Sequence, residues 1–211
     1  MTLKALLVST VIATASMTAA AQAATITGLF DTGVDGSGTP LAENALDSHW
    51  LVNGSGTPVV YDHPSYLTTP DARFIAVEAG GDYATPVNTY TLTFNLAGLN
   101  PASAQLSGNF EADNYATVYL NGHQIAQDIQ GTVFQNFQSL TAFSASGADF
   151  VSGLNTLSIV VTDTGKPSAM LVSGLSGTAA AVPEPATWAM MLVGFGGLGA
   201  AMRSRRKLAV A

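Results

Sequence analysis

Three short segments of this 211-residue chain carry side chains that could do chemistry. The first, Asp31-Thr32-Gly33-Val34-Asp35-Gly36, sets two carboxylates on a glycine-rich turn. Calcium takes about six to eight oxygen ligands, and closely spaced carboxylates supply several of them. An EF-hand does not fit, because Gly33 stands at the third loop position and Ala42 at the twelfth, where a bidentate Glu belongs. The expectation is either a structural Ca²⁺ held by Asp31 and Asp35 in another kind of loop or a plain acidic β-turn. Two further segments, Asp47-Ser48-His49-Trp50 and Tyr61-Asp62-His63-Pro64-Ser65-Tyr66, put an aromatic ring beside Asp and His. That is what a sugar site needs: a ring for the apolar face of a pyranose and polar groups for its hydroxyls. Asp47, His49, Trp50 and Tyr66 are the candidate glycan contacts. The alternative is that Trp50 anchors the core and Tyr61 turns inward.

A catalytic reading finds less to work with. There is no Gly-x-Ser-x-Gly elbow, no His-Glu-x-x-His and no phosphate-binding loop, and His49, His63 and His123 fall in separate turn-like stretches. A pair of carboxylates could serve a polysaccharide hydrolase, but thirteen acids between residues 24 and 182 single out no pair. No catalytic residue is assigned, and the chain is expected not to be an enzyme. With no cysteine, thiolate metal sites, disulfides and a thiol nucleophile are all excluded. Arg73 and Lys166 are the only bases facing those thirteen acids, a net charge of −11 that repels phosphate backbones and excludes nucleic acid as a partner.

The elements that must position these residues are strands. Tyr90-Thr91-Leu92-Thr93-Phe94-Asn95-Leu96 alternates apolar and polar with period two, the pattern of a strand facing a core on one side and water on the other. Ala116-Thr117-Val118-Tyr119-Leu120, then Asn121-Gly122, then His123-Gln124-Ile125 predicts a hairpin, since Asn-Gly accepts the positive φ angles of a type I′ turn. Further strands are expected at 25–30, 58–61, 73–77, 104–110, 156–162 and 169–175. The mature region holds no long stretch of helical period. Many short strands between Gly, Pro, Asn and Asp clusters predict an all-β fold, an antiparallel jelly-roll-like β-sandwich.

Both ends of the chain differ from this middle. Lys4, an apolar run and the small-x-small triplet Ala21-Gln22-Ala23 predict a signal-peptide helix at 1–23, cut by signal peptidase after Ala23. The sandwich then occupies 24–180. The segment 181–211 holds Pro183-Glu184-Pro185, Trp188, an apolar stretch to Met202 and the basic cluster Arg203-Ser204-Arg205-Arg206-Lys207. Fifteen residues from Trp188 to Met202 make a short transmembrane helix of about 22 Å against a hydrocarbon core of about 30 Å, with the basic cluster kept cytoplasmic.

These last features resemble the PEP-CTERM sorting signal, in its variant Pro-Glu-Pro-Ala-x-Trp-Ala-Met-Met. The resemblance implies processing by exosortase, a transient stay in the inner membrane, and delivery to the cell surface or extracellular matrix of an exopolysaccharide-producing bacterium. Pro183, Glu184, Pro185, Trp188, Arg203, Arg205 and Arg206 are then sorting residues. The run Phe94-Asn95-Leu96-Ala97-Gly98-Leu99, with Ala104-Gln105-Leu106-Ser107-Gly108-Asn109-Phe110 and Tyr119-Leu120-Asn121-Gly122, is similar to galactose-binding-like jelly rolls of carbohydrate-binding modules. Exopolysaccharide is the partner this implies, in an adhesive or structural role. A permanently membrane-anchored envelope protein and a surface polysaccharide hydrolase are the alternatives.

Overall fold

The computed structural model describes residues 22–81, 85–128, 136–182 and 185–208. The expected signal-peptide helix with Ala21, and Pro183 and Glu184 of the sorting signal, lie outside the described residues.

Alternation of apolar and polar residues builds two antiparallel sheets. In β5 (Val87–Asn95), Tyr90, Leu92 and Phe94 are buried while Thr89, Thr91 and Thr93 face outward. It pairs along its whole length with β10 (Leu154–Thr162), which buries Leu157, Ile159 and Val161 on the same side. β10 is flanked by β7 (Tyr115–Leu120), which forms a hairpin with β8 (His123–Asp128). The hairpin turns on Asn121 and Gly122 with φ of 52° and 84°, the two positive angles its sequence demands. With β2 (Leu51–Val52) these strands make one sheet, in the order β2-β5-β10-β7-β8.

The other sheet runs β3-β4-β11-β6-β9, comprising β3 (Val59–Val60), β4 (Ile75–Ala76), β6 (Gln105–Asp113), β9 (Thr141–Ser146) and β11 (Ala169–Ala180). β1 (Ala23–Thr25) adds to the far end of β11, with Ala23 opposite Ala180. The inner faces enclose Trp50, Tyr90, Phe110, Leu120, Leu157, Ile159 and Met170. The fold is therefore an antiparallel jelly-roll-like β-sandwich, as the period-two pattern predicts.

Three elements differ from expectation. The strand expected at 25–30 ends at Thr25, and Gly28 beyond it turns the chain with a φ of 84°. β2 and β9 were not anticipated. β2 spans only two residues, and β9 reads Thr-Ala-Phe-Ser-Ala-Ser, too poor in β-branched residues to stand out, although Phe143 and Ala145 bury on alternate positions.

The C-terminal helix α1 (Pro185–Leu208) forms, but no helix among the described residues is long and apolar enough to cross a membrane. The stretch from Trp188 to Met202, expected as a short transmembrane helix, lies within α1.

Candidate functional site

In the segment 47–50, Asp47 and Trp50 lie in the interior, Ser48 is exposed and His49 is half-buried. Asp47 is fully buried and accepts hydrogen bonds from the backbone N–H of Gly33 (2.7 Å), His49 (2.9 Å) and Trp50 (3.3 Å). Gly33 is required at that contact: its φ is +63°, and a Cβ there would stand 2.6 Å from Cβ of Arg73. Trp50 is 0% exposed and donates from Nε1 to the carbonyl of Phe30 at 3.2 Å. His49 stacks on the Phe30 ring at 3.6 Å, and its Nε2 is buried without a partner. A glycan cannot stack on an indole closed off from solvent, so Asp47 and Trp50 fasten a loop to the core and offer no sugar platform.

The two candidate calcium carboxylates are committed separately. Asp31 accepts from the N–H of Leu175 (2.7 Å) at a bulge in β11, and burial pushes its pKa up. Asp35 closes its own turn, with Oδ1 accepting from the N–H of Ser37 (2.8 Å), the hydroxyl of Ser37 (2.7 Å) and the N–H of Thr39 (2.9 Å). Those bonds hold its pKa below the usual carboxylate range. Among the described residues no group of three or more acids or histidines is arranged to hold a metal ion. The residues present do not fit a Ca²⁺ site.

The segment 61–66 behaves differently. On β11, Met170 and Val172 point between the sheets while Ala169 and Leu171 face the other way. On that outer face lies a second cluster of Tyr61, Tyr66, Phe74, Phe137 and small neighbours. The Tyr66 ring sits 4.5 Å from Phe74, 4.9 Å from His63 and 5.1 Å from Phe137, centroid to centroid. Its hydroxyl donates to Oδ2 of Asp113 at 2.7 Å, a residue 47 positions away at the end of β6. Burial pushes the pKa of Asp113 up, with the charge of Asp163 adding to it.

A polar network extends from that bond. Asn114 donates to Oδ1 of Asp113 (2.6 Å), accepts from the N–H (2.8 Å) and hydroxyl (2.7 Å) of Thr164, and receives Asn136 at its carbonyl (2.7 Å). Two open hollows flank Tyr66. One, of about 340 Å³, is lined by Asp62, His63, Thr69, Arg73 and Phe74. The other, of about 400 Å³, is lined by His63, Ser65, Asn114, Thr164 and Lys166. Tyr66 and His63 border both. The only two cationic side chains of residues 24–182 thus sit one in each hollow of an otherwise acidic domain.

This end offers hydrogen-bond donors and acceptors around aromatic walls, and no activated nucleophile. Ser65 meets His63 through its backbone N–H, which donates to Nδ1 at 3.3 Å, so no serine hydroxyl is handed to the imidazole there. The Tyr66–Asp113 pair and the placing of Arg73 and Lys166 on either side of Tyr66 have no local sequence signal. They join segments that only the sheet register brings together.

The site and residues 22–23 with 180–182 occupy opposite ends of the sandwich. Asp113 pairs with Ala169 at the start of β11, and Ala180 pairs with Ala23 at its finish, roughly 35 Å away at strand rise. Ala181 donates its N–H to the carbonyl of Gln22 (3.1 Å), so the expected cleavage region around Ala23 lies beside the start of the sorting segment. Pro185 opens α1. Trp188 within it is 56% exposed, and Arg203, Arg205 and Arg206 lie toward its end.

A PEP-CTERM protein-sorting motif matches residues 181–207. No curated protein matches the chain. Among solved structures, the chain is similar to a cyclase from Fischerella sp. TAU in complex with an indole compound. That match has 11% identity and a TM-score of 0.44, covering 77% of this chain and 100% of that one. It is also similar to the CBM36-1 domain of a multidomain xylanase from the hindgut metagenome of Trinervitermes trinervoides, at 12% identity and a TM-score of 0.33 over 64% of this chain and 98% of that one. A family 35 carbohydrate-binding module from an environmental isolate matches at 18% identity and a TM-score of 0.32, again over 64% and 98%.

Proposed function

We propose that this chain, an exosortase substrate exported by virtue of its C-terminal sorting motif, leaves the β-sandwich of residues 24–180 at the cell surface or in the extracellular matrix as a non-catalytic adhesive or structural component. Exopolysaccharide is its partner, met at the end of the sandwich that carries Tyr66. The sorting motif at 181–207 supports the first half of this reading.

The observation that carries the second half is the course of β11. It begins beside Asp113 and ends at the residue before the sorting segment, so whatever holds the C-terminus leaves the Tyr66 end facing away. Open hollows bordered by the half-buried His63 ring and edged by Arg73 and Lys166 supply a ring face together with donors and acceptors for hydroxyls and acidic substituents. Asp47 and Trp50 have no part in the contact, since they are enclosed.

Affinity electrophoresis of the protein recovered from its host, run through the host's own exopolysaccharide, tests this. The expected result is retardation that His63→Ala combined with Lys166→Ala reduces, with the melting temperature little changed. Mobility that no glycan alters removes the glycan role and leaves a structural component. Mass spectrometry of the same material tests sorting: termini near Ala24 and the Pro183-Glu184-Pro185 element are expected, and a product that retains Arg205 and Arg206 overturns it.

A further inference from the structure

The end of the sandwich that holds residues 22–23 and 180–182 differs from the Tyr66 end in charge. It is built by the segments 96–104, 121–122 and 147–154 with the last residues of β11, and Asp149 is their only charged side chain. The carboxylate of Asp149 is turned to the N–H of Ser146 at 3.3 Å. At the other end stand Asp62, Asp113, Asp128 and Asp163 with both bases, Arg73 and Lys166. The length of β11, roughly 35 Å, separates the two groups. A Debye length is about 8 Å at physiological ionic strength, so the acids around Tyr66 exert little repulsion at the far end.

Three large apolar side chains are exposed at this nearly uncharged end: Val151 (46%), Leu154 (64%) and Val182 (53%). Backbone bonds bring them together. The N–H of Leu96 reaches the carbonyl of Gly153 at 2.8 Å, next to Leu154, and the N–H of Val182 reaches the carbonyl of Gly98 at 2.9 Å. The turn at 96–99 thus sets Val182 beside the loop that carries Val151 and Leu154.

The chain on either side of this end selects a partner. Pro185, where α1 starts, is three residues beyond Val182, at most about 10 Å of extended chain. α1 exposes Met190, Leu192, Val193, Phe195 and Leu198, and its charges come only after them, from Arg203 onward. Apolar side chains on every exposed side of a helix are matched by lipid and not by water. The apolar run 5–20 joins the same end at Gln22.

We infer that this end is a lipid-docking surface: while α1 holds the chain at a bilayer, Val151, Leu154 and Val182 enter the headgroup region and stand the sandwich upright on the membrane. The Tyr66 hollows are then carried roughly 35 Å above it. An anionic bilayer repels carboxylates and meets only one here, itself engaged by Ser146. The inference rests on the sorting reading only in that residues 185–208 hold the chain at the membrane. Three side chains bury too little apolar surface to keep a domain on a bilayer, since even a myristoyl chain gives marginal binding. Docking therefore ends when the C-terminal segment is cut away.

The chain has no cysteine, so one introduced thiol carries a fluorophore to one position. The full-length chain is reconstituted into vesicles of phosphatidylethanolamine and phosphatidylglycerol that contain a spin-labelled quencher lipid. A nitrobenzoxadiazole label at Ala97→Cys is expected to be quenched at least about threefold more than one at Thr162→Cys, which ends β10 near Tyr66. Nearness to α1 alone favours position 97, so Val151→Asp combined with Leu154→Asp decides. That pair should lower the quenching at position 97 at least about twofold, and most at low salt. The melting temperature should change little, because both side chains are exposed. Quenching that the two carboxylates leave unchanged, or a chain that does not float with the vesicles, overturns the inference. Quenching seen only with host membranes containing exosortase assigns the surface to that enzyme and overturns the lipid partner. A chain cut as expected in its host but undocked on vesicles loses the docking alone, whereas a docked chain that keeps Arg205 and Arg206 in its host loses the sorting alone.

Discussion

Segments 47–50 and 61–66 start from the same ingredients, an aromatic ring with Asp and His within a few residues, and they finish in opposite settings. In the first, Asp47 gathers three backbone N–H groups and Trp50 drops between the sheets. In the second, the rings stack outside the sheet on Ala169 and Leu171, and Tyr66 borders two open hollows. The difference lies in what each loop finds beneath it. A loop entering β2 meets the space between the sheets, whereas one leading toward β4 crosses an outer face, where Tyr61, Tyr66, Phe74 and Phe137 bury against one another beside open hollows. Local composition states that a segment is amphipathic. Which sheet face it meets decides whether the polar atoms cap backbone or meet solvent.

Trp50→Ala draws the contrast most sharply. Removing a fully enclosed indole is expected to cost about 3–5 kcal/mol in denaturant unfolding. Any glycan retardation should survive in the fraction that remains folded. Glycan binding lost in a still-folded Trp50→Ala protein would break the comparison.

A second test uses a buried acid in the sheet that carries the outer cluster. Glu111 on β6 pairs with Leu171, is 0% exposed, and neither carboxylate oxygen has a hydrogen-bond partner. Burial, with the charge of Asp128 adding to it, pushes its pKa up from 4.5 to about 8. The unfolded chain therefore releases this proton near pH 4.5 while the folded chain keeps it until near pH 8. Stability is full below the lower value and falls as pH rises through that window. Melting temperatures recorded from pH 4 to pH 9 should decline accordingly, and Glu111→Gln should flatten the decline, gaining about 2–4 °C per kcal/mol recovered at the alkaline end. An unchanged slope in the variant would show that the carboxyl is not held neutral.

The smallest effect belongs to Tyr66→Phe. It keeps the ring packing against Phe74 and Phe137 and removes one buried hydrogen bond to Asp113, for about 1–2 kcal/mol in chemical denaturation. The larger share of that loss should appear above the raised pKa of Asp113, where the bond is charge-assisted. A cost as large as that of Trp50→Ala would mean that the outer cluster holds the fold together as the inner one does.

The parts of the fold written into short stretches of chain were legible. Asn121-Gly122 specified its hairpin because the required positive φ angles belong to those two residues alone. β5 and β10 were legible because one buried face imposes period two on nine residues. β2 and β9 were not, because their pairing comes from a neighbouring strand and not from their own composition. The candidate site was legible only in half. Tyr66 could be named, but Asp113, Arg73 and Lys166 could not be joined to it, since 47, 7 and 100 positions of chain separate them from it.

By itself, then, the sequence determined a two-sheet β fold, an acidic character and a C-terminal sorting motif, all of which are set by local pattern, composition or a contiguous run of residues. Tertiary structure alone decided that Trp50 is enclosed while the buried Tyr66 borders two open hollows, and that residues 22–23 and 180–182 lie at one end of the sandwich and those hollows at the other. These are consequences of strand order and register, which depend on contacts between residues far apart in the chain.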